Sequence, residues 1–192
     1  MDLASPREQS LVIASVLGRS LEDVDRAVPR LAAELGELAY VSAPLPFSWT
    51  DYYRGELGPA PIRRFVAARR LEDPAQLPRL KRASTRLEVA LARPGERRPV
   101  NIDPGLLNEH QLVLASTKPR RHRIYLGRGI YADLMLLFEG ERCAPLPWTY
   151  PDYADEEQGV RLLRMRALYL ELRRSSGLDR TLSRAQEDAC NP

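Results

Sequence analysis

The chain has 192 residues, of which 44% are hydrophobic, and a formal net charge of +3. A chain of this length and composition can bury a core without disulfides or metals, which excludes wholesale disorder and predicts one soluble domain. No apolar run approaches the roughly 20 residues needed to span a bilayer, and the N-terminus lacks the charged start and apolar run of a signal peptide. We therefore expect no membrane partner, and the charge is too small to indicate nucleic acid by itself.

Cysteine and lysine are both rare. Cys143 and Cys190 lack the spacing of metal ligands, which favours a reduced protein of the cytoplasm. Lys81 and Lys118 are the only lysines among 29 basic residues. Arginine-rich codon usage explains this bias most simply, while a phosphate-binding face is the alternative because the planar guanidinium fork suits phosphate.

The first half of the chain is predicted to have the element order β-α-β-β-α-β. Ser20 is placed to cap the first helix, with Asp23 in a capping-box-like position, and Gly36 ends it. Pro29 falls inside that helix and is expected to kink or divide it. Asp73, followed by proline, starts the second helix. The predicted strands and helices cover, in order, residues 10–16, 20–36, 38–43, 62–70, 73–92 and 99–102, and the last of these is also the first strand of the meander described next.

The second half is predicted to be an antiparallel meander followed by a helix, with turns at residues 104–105, 118–119 and 127–129. The fold class is α+β, a ferredoxin-like β-α-β-β-α-β order extended by an antiparallel meander and a C-terminal helix, with the helices on one face of the sheet. The predicted meander strands are residues 99–102, 111–116, 122–126 and 130–138, and the helix is 156–174. The predicted domain division is a flexible N-terminus over 1–9, a single domain over 10–174 and a disordered tail over 175–192.

Two proline-stiffened segments hold seven of the thirteen aromatic residues, including both tryptophans. Residues 43–53 (APLPFSWTDYY) are called the first aromatic segment, and residues 144–153 (APLPWTYPDY) the second. Buried Trp and Tyr need partners for their N–H and O–H groups. The two segments are therefore predicted to form either walls of a binding surface or plugs of the core.

Residues 116–123 (STKPRRHR) combine hydroxyls, cationic groups and backbone amides around one turn. Lys118, Arg120 and Arg123 could hold a phosphate through charge-assisted hydrogen bonds, and His122 could serve as a general acid or base. An ordinary solvated turn is the alternative, and the use of lysine at position 118 favours a specific role. His110 is predicted to lie at the far end of a hairpin of strands 111–116 and 122–126, so a shared metal site is not expected.

Four further polar residues lie at element ends. Asp51 and Asp152 occupy matching places in the two aromatic segments and could bind magnesium or exchange protons. Helix capping is the competing interpretation. It is favoured for Asp152, which lies just before the last helix, while the role of Asp51 stays open. Asn101 and Asp103 end the fourth strand; a structural role in the turn is favoured for Asn101, and Asp103 stays open as a ligand or proton-transfer group.

Known signatures of nucleotide, cofactor and metal sites are missing from the sequence. There is no G-x-x-x-x-G-K-[ST] loop, no Rossmann fingerprint and no nucleophile elbow. No cluster of His, Cys and Asp has zinc spacing. We therefore predict no cofactor and no metal, and whether the protein is an enzyme stays open.

Six motifs together resemble a bacterial family, domain-of-unknown-function 4416, some of whose members carry the label GTP-binding protein. The resemblance extends from about residue 10 to residue 174. It implies that the turns carrying these motifs belong to one shared design, and it brings no catalytic residues. The motifs lie at residues 47–53, 101–105, 114–118, 122–127, 129–132 and 147–153.

We interpret the chain as a cytoplasmic protein that binds a small phosphorylated ligand or nucleotide. The phosphate would bind to the basic turn at residues 116–123, and aromatic side chains, including Trp148, would stack on a base or sugar. The alternatives are an RNA-binding sheet face that stacks bases, and a protein-interaction module that uses the aromatic segments. The predicted ligand-binding residues are Trp49, Asp51, Asp103, Lys118, His122, Arg123, Tyr125 and Tyr150.

Overall fold

The computed structural model describes residues 8–176, which form one nine-stranded sheet with helices packed on it. The strands are β1 (Ser10–Gly18), β2 (Leu38–Val41), β3 (Leu45–Pro46), β4 (Ile62–Glu72), β5 (Val100–Leu107), β6 (Gln111–Ser116), β7 (Arg123–Gly127), β8 (Ile130–Glu139) and β9 (Arg142–Pro145). The helices are α1 (Leu21–Leu35), α2 (Arg54–Leu57), α3 (Leu77–Leu91), α4 (Pro151–Ala154) and α5 (Glu156–Ser175).

The strands follow the order β2-β4-β1-β5-β6-β8-β7 along the sheet, while β3 pairs with β4 and β9 pairs with β8. All of these pairings are antiparallel. The mixed α and β content, the antiparallel sheet and the C-terminal helix are therefore confirmed. Strands β3 and β9 and helix α4 are short elements that the sequence patterns do not predict.

The side chains of β1 alternate between two cores, one on each face of the sheet. Val12, Ala14 and Val16 pack with α1 and α3, whereas Leu11 and Ile13 pack with α5. We call these sides the α3 face and the α5 face. The expectation that all helices lie on one face is wrong, because α5 returns across the opposite side and covers it with an apolar stripe, Leu162, Met165 and Tyr169.

Local signals define both ends of α1. The Ser20 side chain accepts a hydrogen bond from the Asp23 amide at 3.2 Å, and Gly36 ends the helix with φ of 86°. The helix runs undivided through Pro29, contrary to a predicted division. Its buried stripe holds both halves on the sheet and offsets the lost hydrogen bond; the stripe consists of Val24, Ala27, Leu31 and Leu35.

The predicted meander is wrong in its strand pairing. Strand β7 pairs with β8 and not with β6, and β8 lies between them. Because β6 and β7 are both antiparallel to β8, they run in the same direction. Residues 117–122 must therefore pass over the first residues of β8, between the levels of Tyr131 and Asp133, and we call them the crossover segment. The crossover brings the most basic turn of the chain close to both aromatic segments.

Strands β5 and β6 pair only between residues 105–107 and 112–114, so the first part of β5 has no partner strand on that side. We call this part of β5 the split edge. The predicted turn at residues 104–105 is wrong, since both residues lie inside β5. Pairing with β6 begins only at Gly105, so Pro104 has a partner strand on one side alone, where a missing N–H is tolerated. A side chain at Gly105 would approach the carbonyl oxygen of Val113 to 2.8 Å, so glycine permits the close contact at which the strands meet.

The last helix begins differently from its predicted start. Asp155, and not Asp152, caps α5 by accepting a hydrogen bond from the Gln158 amide at 3.1 Å. Residues 1–7 and 177–192 lie outside the described residues, and they include most of the predicted flexible N-terminus and tail together with Cys190. Across residues 8–176, no helix has the length and apolar character needed to cross a membrane.

Candidate functional site

A buried carboxylate anchors the crossover segment to the sheet. Asp133 of β8 is 1% exposed and lies on the α5 face, because it pairs with Leu114, whose side chain belongs to the core on that face. Its Oδ2 accepts a hydrogen bond from Arg123 Nε at 2.8 Å, and its Oδ1 lies 3.3 Å from His122 Nε2. The C-terminal end of the crossover is thus attached to the strand that it crosses.

Arg123 extends this attachment to three further groups. Its NH1 donates to the Ser116 hydroxyl at 2.7 Å and to the Lys118 carbonyl at 2.8 Å, and its NH2 donates to the Tyr150 hydroxyl at 2.6 Å. The guanidinium is buried, with 4% of the side chain exposed. Because its donors are used within the protein, Arg123 positions the crossover and the second aromatic segment.

Both aromatic segments contact the crossover through aromatic rings. The rings of His122 and Trp148 stack with centroids 4.9 Å apart and an interplanar angle of 10°. Trp148 is fixed by its indole N–H, which donates to the Leu134 carbonyl at 2.8 Å. At the other end, Lys118 donates to the Tyr52 hydroxyl, and its ammonium lies 4.2 Å from the centroid of that ring. The crossover therefore bridges the two aromatic segments.

The surface of the crossover is cationic. Lys118, Arg120 and Arg121 are exposed, and none of them has an ion-pair partner among residues 8–176. Three aromatic side chains that contact the crossover segment or Arg123 keep a large part of their surface in solvent: Tyr52 (63% exposed), Tyr150 (42%) and Trp148 (36%). Positive charge and open ring faces thus share one surface, which we call the crossover surface.

Arg63 joins the two aromatic segments beneath this surface. Its guanidinium lies 4.4 Å from the ring centroid of Phe47 and 5.6 Å from that of Tyr153, one residue from each segment. NH1 forms a 2.5 Å ion pair with Asp152, and both side chains are less than 10% exposed. Each segment is therefore a core plug at one end and a solvent-exposed aromatic surface at the other, so the two predicted roles coexist.

Charged side chains from α3 occupy the split edge of β5. Lys81 donates to the Ile102 carbonyl at 2.8 Å and to Asp103 at 2.9 Å, while Glu88 accepts from the Ile102 amide at 2.6 Å. Burial raises the pKa of Asp103, but the Lys81 charge and hydrogen bond outweigh it and lower the pKa overall, with help from Asn101. The side chains of Lys81 and Glu88 thus supply the hydrogen bonds that the backbone of β5 lacks where β6 does not pair with it.

A hydrogen-bonded chain links this edge to the crossover surface. Asn101 donates to Asp103 at 2.6 Å and to the Tyr53 hydroxyl at 3.4 Å, and the Tyr53 ring contacts that of Tyr52 with centroids 4.9 Å apart. Burial raises the pKa of Tyr53 far above its usual value, and the Asp103 carboxylate adds to this effect. Burial also raises the pKa of Tyr150, so both phenols stay protonated at neutral pH.

One family comparison covers most of the chain. A model of the family described as domain of unknown function DUF4416 matches residues 8–169. The chain belongs to that family. Searches of curated proteins and of solved structures gave no significant match. The resemblance carried by the six motifs is confirmed.

Five of the predicted site residues of this DUF4416 chain lie in or next to one network. Lys118, His122, Arg123 and Tyr150 meet at the crossover, and Asp103 adjoins it through Asn101 and Tyr53.

The other three predicted residues lie apart from that network. Asp51 is 89% exposed and pairs with Arg54 at 3.3 Å, while Thr50 caps the turn that Asp51 begins. Tyr125 packs against Tyr131 at 5.1 Å between centroids. Trp49 lies in the first aromatic segment, exposed.

Sequence reasoning missed the residues that hold the DUF4416 site together. Asp133 had a usable signal, since it is the only charged residue within an otherwise apolar strand before Glu139. Lys81 was marked only by the rarity of lysine, and the buried Arg63–Asp152 pair carried no sequence signal. Among residues 8–176, no group of three His, Cys, Asp or Glu side chains could hold a metal ion.

Proposed function

We propose that this DUF4416 protein binds a small phosphorylated ligand of the nucleotide class on the crossover surface. One observation carries the proposal. The crossover presents exposed cationic side chains between an aromatic ring of each segment, Tyr52 and Trp148, and Asp133 holds its end on the sheet. Such pre-positioning lowers the conformational entropy that binding would otherwise cost.

The chemistry of the surface suits the two parts of a nucleotide. Lys118, Arg120 and Arg121 supply charge-assisted donors for phosphate oxygens. The open faces of Trp148 or Tyr150 supply a stacking platform for a base or sugar, and Trp49, exposed in the first aromatic segment, is a further candidate for stacking. Arg123 acts as a positioning residue, and Asp103 supports the first aromatic segment through Asn101 and Tyr53. We assign no reaction to the site.

Equilibrium titration with GTP, ATP and inorganic phosphate tests the proposal. We expect saturable binding of at least one nucleotide, weakened about tenfold or more in an Arg120→Gln/Arg121→Gln variant because two phosphate donors are lost. Arg164→Gln, on the exposed side of α5, is the matched control and should bind as the wild type does. Absence of binding and of any thermal shift at millimolar ligand would reject the proposal.

RNA binding is the second candidate, favoured by one feature of β7. Tyr125 is 58% exposed on this edge strand and packs against Tyr131 of β8, so two rings are available for stacking on the sheet. A steep fall of affinity with increasing salt, and a loss of RNA binding in Tyr125→Ala, would favour RNA over a small ligand.

A protein-interaction module would instead co-purify with a stoichiometric partner that covers the exposed aromatic segments.

Two finer assignments belong to the same proposal. We infer a ferredoxin-like unit in the first half, supported by the neighbour order β2-β4-β1-β5, in which all pairings are antiparallel. We also infer a cytoplasmic location, consistent with the thiol of Cys143, whose pKa burial raises to about 11. An experimental structure tests the ferredoxin-like unit, and cell fractionation tests the cytoplasmic location.

A further inference from the structure

A groove on the α3 face lies away from the crossover surface. Its volume is about 440 Å³, and it lies between α3 and the turn that joins β7 to β8. It is lined by Ala75, Pro78, Arg79, Arg82, Arg86, Leu126, Gly127 and Arg128. Four of these eight residues are arginines, and none is acidic or aromatic.

The three helical arginines repel one another. Arg79, Arg82 and Arg86 are three and four residues apart, so their side chains share one side of α3, where like charges destabilise a helix. Arg79 is the third residue of the helix, and the positive end of the helix dipole adds to the repulsion. The only acidic residue of α3, Glu88, turns inward to Arg98 and the Ile102 amide.

The charge of the groove is not balanced within the described chain. Among residues 8–176, none of the four guanidiniums has an ion-pair partner, and their one side-chain hydrogen bond joins Arg79 to the neutral Gln76 at 2.9 Å. This contrasts with Arg63, Arg98 and Arg123, each of which is paired with a carboxylate. An external anion would therefore remove a repulsion that the fold leaves in place.

The turn that closes the groove contains a strained arginine. Arg128 has φ of 56°, and it is the only non-glycine residue with positive φ in the described chain. Its neighbours Gly127 and Gly129 have φ of 94° and 75°. Glycine adopts this conformation without strain, so an arginine here sacrifices stability while placing a guanidinium at the mouth of the groove.

We propose that this arginine groove binds a short polyphosphate chain. Guanidinium forks form paired hydrogen bonds with phosphate oxygens, and the volume lies in the range of small-ligand sites. Arg79 and Arg86 are separated by roughly 10 Å of helix, enough to contact several successive phosphates. Because no aromatic ring lines the groove, recognition rests on the phosphates themselves.

The groove is distinct from the crossover surface. The two sites lie at opposite ends of β7, roughly 13 Å of strand apart, and the groove is on the α3 face, whereas Asp133 and Tyr150 face α5. The inference thus goes beyond the proposed function, and either can fail without the other.

Titration of the full chain with sodium tripolyphosphate tests the inference. We expect tripolyphosphate to bind at least tenfold more tightly than orthophosphate, and Arg82→Gln/Arg86→Gln to weaken it at least tenfold. Arg128→Gly should weaken binding several-fold and keep the turn, since glycine suits its φ. The control is Arg164→Gln on α5, which should bind as the wild type does, and the Arg120→Gln/Arg121→Gln variant reports separately on phosphate binding at the crossover surface.

The variants also provide a readout that is independent of the ligand. Removing like charges from α3 should leave the thermal midpoint of the free protein unchanged or higher, so loss of binding does not reflect unfolding. The inference is overturned if wild type does not bind millimolar tripolyphosphate, or if Arg164→Gln weakens binding equally. It is also overturned if only the crossover variant weakens binding, or if single-stranded RNA binds to the groove more tightly than tripolyphosphate does.

Discussion

At the scale of single residues, Arg63 explains why two separate aromatic segments lie side by side. Its guanidinium is enclosed by rings from both segments and is neutralised by Asp152. A buried charge is tolerated only when it is paired, so removing either partner leaves an uncompensated ion. The matching aspartate of the first segment, Asp51, is exposed and pairs with the exposed Arg54.

This difference predicts unequal effects of two matched substitutions. Asp152→Ala should lower the free energy of unfolding by about 3–5 kcal/mol, because Arg63 stays buried without its partner. Asp51→Ala should change it little, because solvent screens an exposed pair. Urea denaturation with linear extrapolation measures both values. Equal effects of the two substitutions would contradict the role given to Arg63.

At the scale of elements, the crossover segment is the feature that creates the site. It passes across β8 and is held at its end by Asp133 and Arg123, whose hydrogen bonds reach Ser116, the Lys118 carbonyl and Tyr150. An attached segment rich in Arg should resist proteases, because cleavage requires local opening.

Limited proteolysis with trypsin tests the attachment. Asp133→Asn keeps the shape but removes the charge that pairs with Arg123, so cleavage after Arg120 and Arg121 should accelerate about tenfold if the pair contributes about 1.4 kcal/mol. Tyr125→Phe, elsewhere on β7, is the control and should cleave as wild type. Mass spectrometry locates the cuts, and unchanged cleavage in the Asn variant would show that Asp133 does not hold the crossover.

The same elements show how far local patterns determine structure. Apolar periodicity located α1, α3, α5 and most strands, because burial of one face depends on local spacing. It did not predict that β7 pairs with β8, since neighbouring strands in sequence usually pair and the actual partner is chosen by contacts between distant residues. Residues 104–105 look like a turn, and only the sheet split explains why proline and glycine are accommodated in β5.

At the scale of the whole molecule, the sheet separates two cationic surfaces. Lys118 and Arg123 could be predicted as site residues because charge and hydroxyls cluster in one turn. The charge of Asp133 stands out in its strand, but its role and that of Arg63 could not be assigned, because both roles depend on burial and on tertiary partners. The arginine groove likewise combines α3 with a turn about forty residues later, a proximity that only the fold produces.

Amide chemical-shift mapping during a nucleotide titration tests the central proposal most directly. With GTP or ATP added to the labelled protein, we predict that the largest saturable shifts fall on residues 117–122 and on Tyr52, Trp148 and Tyr150. Shifts confined to α3 and Arg128 would place the phosphates in the arginine groove instead. Shifts elsewhere, or none at millimolar nucleotide, would contradict a ligand site on the crossover surface.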